Sequence, residues 1–280
     1  MAWDREQIVP LLERTGAMGL ELRDSLEREY KADQSIVTQA DRQIEDEITK
    51  ELEDPENGVF IIGEETVDQK GEAYLERAQK EECFVIDPID GTSPYAHGMP
   101  YWGVSIGHMI DGELVNGAVY LPCFAELVVS DGDQVLEGRL RDGEWSFREL
   151  TPPEGETHVS QIFGVTQRVA KYGRLDVPNP VNVLGAAVVP LVGLLQQRFA
   201  AYLGSVRLWD VAGALPLALK LGYSASVREG DEVRPVTARV EPATYHLEPG
   251  SPDRWKFRSE LLVCREADQG WLREAFQETV

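Results

Sequence analysis

The sequence predicts an α+β fold, and three observations carry that reading. Apolar residues near the N-terminus recur at helical spacing, short strands separated by Asp-Gly turns fill the stretch from Tyr101 to about Pro153, and helical and strand-like segments mix again beyond it. The linker Thr151-Pro152-Pro153-Glu154-Gly155 divides the chain into an N-terminal α+β half, residues 1–155, and a C-terminal α/β half, residues 156–280.

Taken in order, Ile8, Leu11, Leu12, Met18, Leu22 and Leu26 lie on one helical stripe, which predicts a helix from Asp4 to about Tyr30, with Gly16 and Gly19 marking close packing. A loop over 31–35 follows. Ile36 to Asp41 then leads into a second helix with Ile44, Ile48 and Leu52 on its buried side, and Thr38 with Asp41 reads as a capping box. Val59 to Ile62 is a strand ending at Gly63-Glu64-Glu65, and the charged stretch 68–80 is helical. Cys83 to Ile86 is a buried strand. From Tyr101 the pattern is of hairpins: strands to Ile110, from Glu113 to Leu121 and from Glu126 to Ser130, with turns at Asp111-Gly112, Asp131-Gly132 and Asp142-Gly143. In the second half, strands are predicted at Gln161–Val165, Phe199–Leu203 and Leu261–Cys264. Helices are predicted at Gln167–Tyr172, from Gly185 to about Gln197, from an N-cap at Asp210 to Leu221 with a kink at Pro216, and from Ala267 to Gln277.

Composition narrows the function. With 280 residues, 42% of them hydrophobic, the chain buries a substantial core. It has no run of 18 apolar residues and no signal-peptide pattern at Met1-Ala2-Trp3-Asp4-Arg5-Glu6, so a cytoplasmic location is expected. Cys83, Cys123 and Cys264 are far apart, which disfavours a disulfide framework or a zinc site. A net charge of -22 disfavours nucleic-acid polymers and anionic membranes as partners. It also means that an anionic substrate would need divalent cations to reverse the local field. Such an acidic, lysine-poor surface suits a salty cytoplasm.

Chemistry concentrates at the strand end Asp87-Pro88-Ile89-Asp90-Gly91-Thr92. Asp87 and Asp90 offer hard oxygen ligands of the kind Mg2+ and Ca2+ prefer, and Gly91 and Thr92 can turn backbone N–H groups toward an anion. Asp-Pro and Asp-Gly are also ordinary turn formers. The company of Glu64-Glu65 and of Leu208-Trp209-Asp210, two further acidic ends of apolar segments, points to one shared site. His97, isolated in a loop, is left out of it.

The set Val37-Thr38-Gln39-Ala40-Asp41, Ile62-Gly63-Glu64-Glu65, Asp87 to Thr92, Gly103-Val104-Ser105-Ile106-Gly107 and Trp209-Asp210-Val211-Ala212-Gly213 resembles the inositol monophosphatase family. The resemblance is good over residues 36–120 and 185–215 and weak elsewhere. It implies the layered α-β-α-β-α sandwich that this family shares with fructose-1,6-bisphosphatases, and a Mg2+-dependent phosphomonoesterase acting on a small phosphorylated polyol or sugar, with inositol monophosphate as the family default. It further implies two or three Mg2+ ions per site, bound by Glu64, Asp87, Asp90, Asp210 and the carbonyl of Ile89. Asp41 and Thr92 would activate the attacking water, and Gly91, Thr92, Gly185, Ala186, Ala187 and Asp210 would contact the substrate. A homodimer and lithium sensitivity also follow from the resemblance.

The chemistry is sound on its own terms. Phosphate esters hydrolyse slowly because an anionic nucleophile must approach an anionic phosphoryl group, and clustered divalent cations neutralise both. The substrate pocket departs from the family pattern. Pro94 replaces an asparagine, Lys220-Leu221-Gly222-Tyr223 replaces a Glu-Ala-Gly-Gly stretch, and Leu203 stands where inositol phosphatases carry an acid that accepts hydrogen bonds from ring hydroxyls. A 3'-phosphonucleotide or fructose bisphosphate phosphatase therefore stays open as an alternative, as does a catalytically weak metal-binding regulatory protein.

Overall fold

The structure is a computed structural model that describes residues 3–23, 28–30, 36–230 and 232–278. Met1, Ala2, Leu26 and the loop expected over 31–35 lie outside these residues. Among the described residues the strands form a seven-stranded sheet, a six-stranded sheet and two two-stranded pairings. Val59–Gly63, Glu82–Asp90, Gly103–Ile110, Glu113–Leu121, Glu126–Asp131, Gln134–Arg141 and Glu144–Glu149 make the larger sheet in chain order. Strand Phe199–Gly204 sits inside the smaller one, parallel to Ile162–Val165 and antiparallel to Leu261–Arg265.

Period-two alternation sorts the side chains of the larger sheet into two cores. Val59, Ile61, Phe84, Ile86, Val104 and Ile106 pack against helices Arg5–Leu22 and Gln39–Leu52. Their neighbours Phe60, Ile62, Cys83 and Val85 face the other way, toward helices Val188–Leu195, Leu208–Ala212 and Leu215–Lys220, whose far side meets Tyr202, Tyr223, Ala225 and Val263 of the smaller sheet. The outer face of that sheet, with Val165, Leu203, Leu262 and Cys264, is covered by Leu272 of helix Gln269–Ala275 and Val169 of helix Gln167–Tyr172. These five layers are the expected α-β-α-β-α sandwich. No helix among the described residues is long and apolar enough to cross a membrane.

Several element boundaries differ from expectation. The first helix ends at Leu22, and Arg28–Tyr30 instead pairs antiparallel with Ile36–Thr38. Between Arg23 and Tyr30 the sequence carries Leu26 as its one aliphatic side chain, so a continuing helix would have no stripe to bury. Close packing at Gly16 and Gly19 is present: a Cβ there would lie 2.4 Å from the ring of Tyr120 and 2.5 Å from that of Trp102. The last helix ends at Ala275, because Phe276–Glu278 pairs with Gly173–Leu175 and Phe276 buries its ring in the outer core.

Around Asp210 the expected single helix is two short ones, Leu208–Ala212 and Leu215–Lys220. Pro216 stands in the first turn of the second, where its missing N–H costs nothing, so the chain breaks before it rather than kinking at it. At the break Gly213 lies against the larger sheet, where a Cβ on Gly117 would stand 2.3 Å from the Gly213 carbonyl oxygen and a Cβ on Gly107 2.6 Å from that of Ala212. These backbone-to-backbone contacts set how far Asp210 stands from the strand end bearing Asp87 and Asp90. Gly117→Ala should therefore lower the unfolding free energy by about 1–3 kcal/mol through overpacking against rigid backbone, as read from urea denaturation. An unchanged midpoint would mean that the helix shifts freely on the sheet.

Candidate active site

Strand Glu82–Asp90 runs through the apolar segment and carries its carboxylates at the end. Regular strand geometry would put Asp87 and Asp90, three residues apart, on opposite faces. A bulge prevents this: Asp87 pairs with Ser105 and Asp90 with Gly103, so one strand uses one more residue than the other. Pro88, which has no N–H to offer the ladder, falls within the bulge. The parallel neighbour pairs Gly63 with Ile86, so the chain leaving that strand brings Glu64 beside Asp87, with the Glu64 N–H donating to the Ile86 carbonyl at 3.2 Å.

Asp210 arrives from the other half. It is the third residue of helix Leu208–Ala212 rather than its N-cap, and its Oδ2 accepts from the N–H of Arg207 at 2.8 Å. The helix starting at Val188 closes the group, its first N–H donating to Oδ2 of Asp90. Ligand oxygens of Asp87, Asp90 and Asp210 lie within 4.8 Å of one another. Glu64 stands outside that trio, yet near enough for its charge to raise the proton affinity of Asp87 and Asp90.

Burial first, and then the neighbouring carboxylates, hold Asp87 and Asp90 well above the usual carboxylate range. Asp210 is pushed up to about 6 by burial, against the lowering pull of the Arg207 N–H and guanidinium. Oδ1 of Asp87 is buried with no hydrogen-bond partner among the described residues. An orphaned buried carboxylate oxygen amid like charges is a poor arrangement for the protein alone and a good one for a hard divalent cation. The residues present thus fit Mg2+, and the all-oxygen donor set disfavours softer metals.

Thr38 and Asp41 form the expected capping box. Oδ2 of Asp41 accepts from the Thr38 N–H at 2.7 Å and from its hydroxyl at 2.6 Å. The other oxygen, Oδ1, lies 3.1 Å from the Thr92 hydroxyl, which is also 3.1 Å from the carbonyl of Ile89. Burial raises the Asp41 pKa, and its hydrogen bonds to Thr38 and Thr92 work against that rise. One side chain thus both caps the helix and reaches the strand end.

Beside Asp90 and Asp210 opens a cavity of about 200 Å³, bounded by Gly185, Ala186 and Ala187 and walled by Val165, Thr166, Gln167, Ser205 and Val206. Gly185 to Ala187 precede the Val188–Leu195 helix instead of opening it. Gly91, at φ +93°, has no room for a side chain, since a Cβ would lie 2.6 Å from the Tyr101 carbonyl oxygen and 2.8 Å from Cβ of Ala186. The departures from the family pattern resolve differently. Leu203 is buried in the outer core, away from this cavity, while its neighbour Tyr202 lines it. Lys220 donates to Oδ1 of Asn116 and to the Gly132 carbonyl, which ties its helix to the larger sheet. His97 accepts no role in the site, and its Nδ1 lies 2.8 Å from the Ser93 carbonyl.

Sequence reasoning missed Thr166, Gln167, Ser205 and Tyr202 as cavity residues, and it missed Glu45, buried on the Asp41 helix. For the cavity wall no sequence signal exists, because its residues come from separate strand ends. For Glu45 one does: it stands four residues after Asp41, on the same helical face.

A profile described as the inositol monophosphatase family matches residues 11–250. The inositol-1-monophosphatase of Mesorhizobium japonicum (strain LMG 29417 / CECT 9101 / MAFF 303099) is 27% identical over 213 residues, covering 74% of this chain and 78% of that protein. A fructose-1,6-bisphosphatase/inositol-1-monophosphatase of Thermotoga maritima (strain ATCC 43589 / DSM 3109 / JCM 10099 / NBRC 100826 / MSB8) is 28% identical over 214 residues, 70% of this chain and 73% of its own. Among solved structures, an IMPase/NADP phosphatase complexed with Mg2+ and phosphate superposes with a TM-score of 0.70 at 15% identity, over 96% of this chain and 93% of that one.

The crowded carboxylates predict an inverted pH response. Their folded-state pKa values lie above the ordinary 3.8, so the stability they contribute is present below that value and is lost as pH rises from it through the folded-state values, about 6 for Asp210. In EDTA the melting temperature should fall across that window, and Asp90→Asn should flatten the slope. Mg2+ at 100 times its Kd should restore about 2.7 kcal/mol near neutral pH. Thermal melts in which Mg2+ has no effect at any pH would remove the cluster as a metal site.

Proposed function

Because this chain belongs to the inositol monophosphatase family and is a phosphoric monoester hydrolase, we propose that it is a Mg2+-dependent phosphatase of a small phosphorylated polyol or sugar, with inositol monophosphate as the default substrate. The observation that carries the reading is the cluster of Asp87, Asp90 and Asp210 oxygens beside the Asp41–Thr92 hydrogen bond. Mg2+ would be held by these three carboxylates with Glu64 and the carbonyl of Ile89, where it supplies positive charge against the phosphoryl oxygens and makes a nearby water more acidic.

The residues themselves do the rest. Oδ2 of Asp41 is occupied by Thr38, which leaves Oδ1 for the Thr92 hydroxyl. That hydroxyl has one proton and two acceptors, Asp41 and the Ile89 carbonyl. A water donating to Thr92 Oγ1 passes its proton through the hydroxyl to Asp41, whose basicity burial has already raised. The water is thereby directed at phosphorus in line with the leaving oxygen, and no covalent phosphoenzyme is needed. N–H groups of Gly91 and Thr92 receive the phosphate oxygens, and the backbone of Gly185 to Ala187 bounds the alcohol.

The lining of the cavity bears on substrate. Thr166, Gln167 and Ser205 offer neutral donors and acceptors to an alcohol's hydroxyls, and among the described residues no lysine or arginine lines the cavity to meet a second phosphate. This supports a monophosphate over a bisphosphorylated sugar or nucleotide. The Asp41–Thr92 pair supports catalysis over mere metal binding, since a binder has no use for a water-activating dyad.

Phosphate release from a panel of inositol phosphates, sugar phosphates and 3'-phosphonucleotides tests this reading, with Mg2+ and with EDTA. The expected outcome is Mg2+-dependent release from polyol or sugar monophosphates, abolished in Asp90→Asn; a bisphosphate as the preferred substrate would overturn the substrate assignment. Asp41→Asn separates cap from catalyst. Asparagine keeps an acceptor oxygen for the Thr38 N–H and hydroxyl, so the melting temperature should hold while kcat falls by about 10²–10⁴. Unchanged turnover would leave Asp41 as a cap alone.

A further inference from the structure

Outside the ligand set, one buried carboxylate has no role so far. Glu45 is fully buried on helix Gln39–Leu52, one turn beyond Asp41, and its Oε2 accepts from the backbone N–H of Glu65 at 2.9 Å. Its carboxylate also lies flat on the preceding strand end. A Cβ added to Gly63 would stand 2.4 Å from both Cδ and Oε1 of Glu45. Gly63 and Glu65, both touched by Glu45, flank Glu64.

Packing alone does not explain an acid here. Burying a carboxylate costs several kcal/mol. An apolar side chain would fill the space without that penalty. What a carboxylate offers is a charge-assisted hydrogen bond to a backbone N–H, about twice as strong as a neutral one, from a rigid helix to a turn. Glu64 sits on that turn and not within a sheet, so its carboxylate stays where a cation needs it only if the turn is held.

We propose that Glu45 is a positioning residue for the metal site: through the Glu65 N–H and the Gly63 backbone it fixes the turn that presents Glu64. The inference rests on the reading of Glu64 as a Mg2+ ligand given above. It gives helix Gln39–Leu52 two tasks from one face, holding the water-activating Asp41 at its first turn and the metal-binding turn at its second.

The test is calorimetric titration of Mg2+ into the EDTA-treated and desalted full chain, with a thermal melt in EDTA to establish folding. Glu45→Ala should weaken Mg2+ binding between about 10- and 100-fold, while Glu45→Gln, which keeps a neutral acceptor oxygen for the Glu65 N–H, should recover part of it. Gly63→Ala, whose new methyl displaces the carboxylate, should weaken binding in the same direction and serves if Glu45→Ala does not fold. Glu45→Ala combined with Glu64→Ala should bind Mg2+ no more weakly than Glu64→Ala alone, because Glu45 acts only through Glu64. Additive losses, or a Glu45→Gln variant as weak as Glu45→Ala, would overturn the proposal in favour of a direct charge effect on the cluster. If Glu64→Ala leaves Mg2+ binding unchanged, Glu64 is no ligand, and the ligand assignment falls together with this inference.

Discussion

Like charges held together in a buried place repel one another, and much of this fold is arranged to hold three of them within 4.8 Å. Asp87 and Asp90 share a strand and face the same way because of the bulge between them. Asp90 is pinned by the N–H of Val188 and Asp210 by that of Arg207, so two separate helices each spend a terminal donor on a carboxylate. Both donors favour the ionised form, while burial opposes it more strongly. The balance leaves a site that binds protons when empty of metal and gives them up to a divalent cation. Metal affinity and instability of the metal-free site have the same origin.

Holding the cluster requires the two sheets to share a layer. The helices from Val188 to Lys220 pack on both of them at once, so Asp210 is fixed relative to Asp87 by the core itself and not by a loop. Glycines on one sheet and small residues on the helices set the distance: Gly107 meets Ala212 and Gly117 meets Gly213, backbone against backbone. Larger side chains would lift Asp210 away. The cavity beside the cluster follows from the same arrangement, because it lies where strand ends of the second sheet meet the loop that enters the central helix at Val188.

The sequence carried the site more legibly than its walls. The strand bearing Asp87 and Asp90 could be read because a run of apolar residues that stops at charges has few other meanings, and the capping box at Thr38 because its partners are local. Boundaries failed where tertiary pairing decided them. Phe276–Glu278 is a strand only because Gly173–Leu175 lies beside it, and the break before Leu215 depends on Gly117 standing opposite. Leu203 shows a further limit. Its place in the chain invited a pocket role, yet strand alternation turns it outward and Tyr202 inward, and which of two adjacent residues faces a cavity is set by register.

The overall charge gives the site a further task. A chain of net charge -22 repels a phosphate ester at long range, and that repulsion is screened beyond about 10 Å at 0.1 M salt. Near the cluster, screening is weaker, since Asp87 and Asp90 are buried and Asp210 is half-buried among low-dielectric walls. Whatever sign the cluster carries is therefore the sign the substrate meets. Without a cation the cluster, protonated or ionised, offers phosphate no positive charge. With divalent cations the local field becomes positive over a few ångströms, in a chain whose net charge is -22. The same few ångströms hold the hydrogen bond between Thr92 and Asp41, so a change of local sign at the cluster is felt where those two side chains meet.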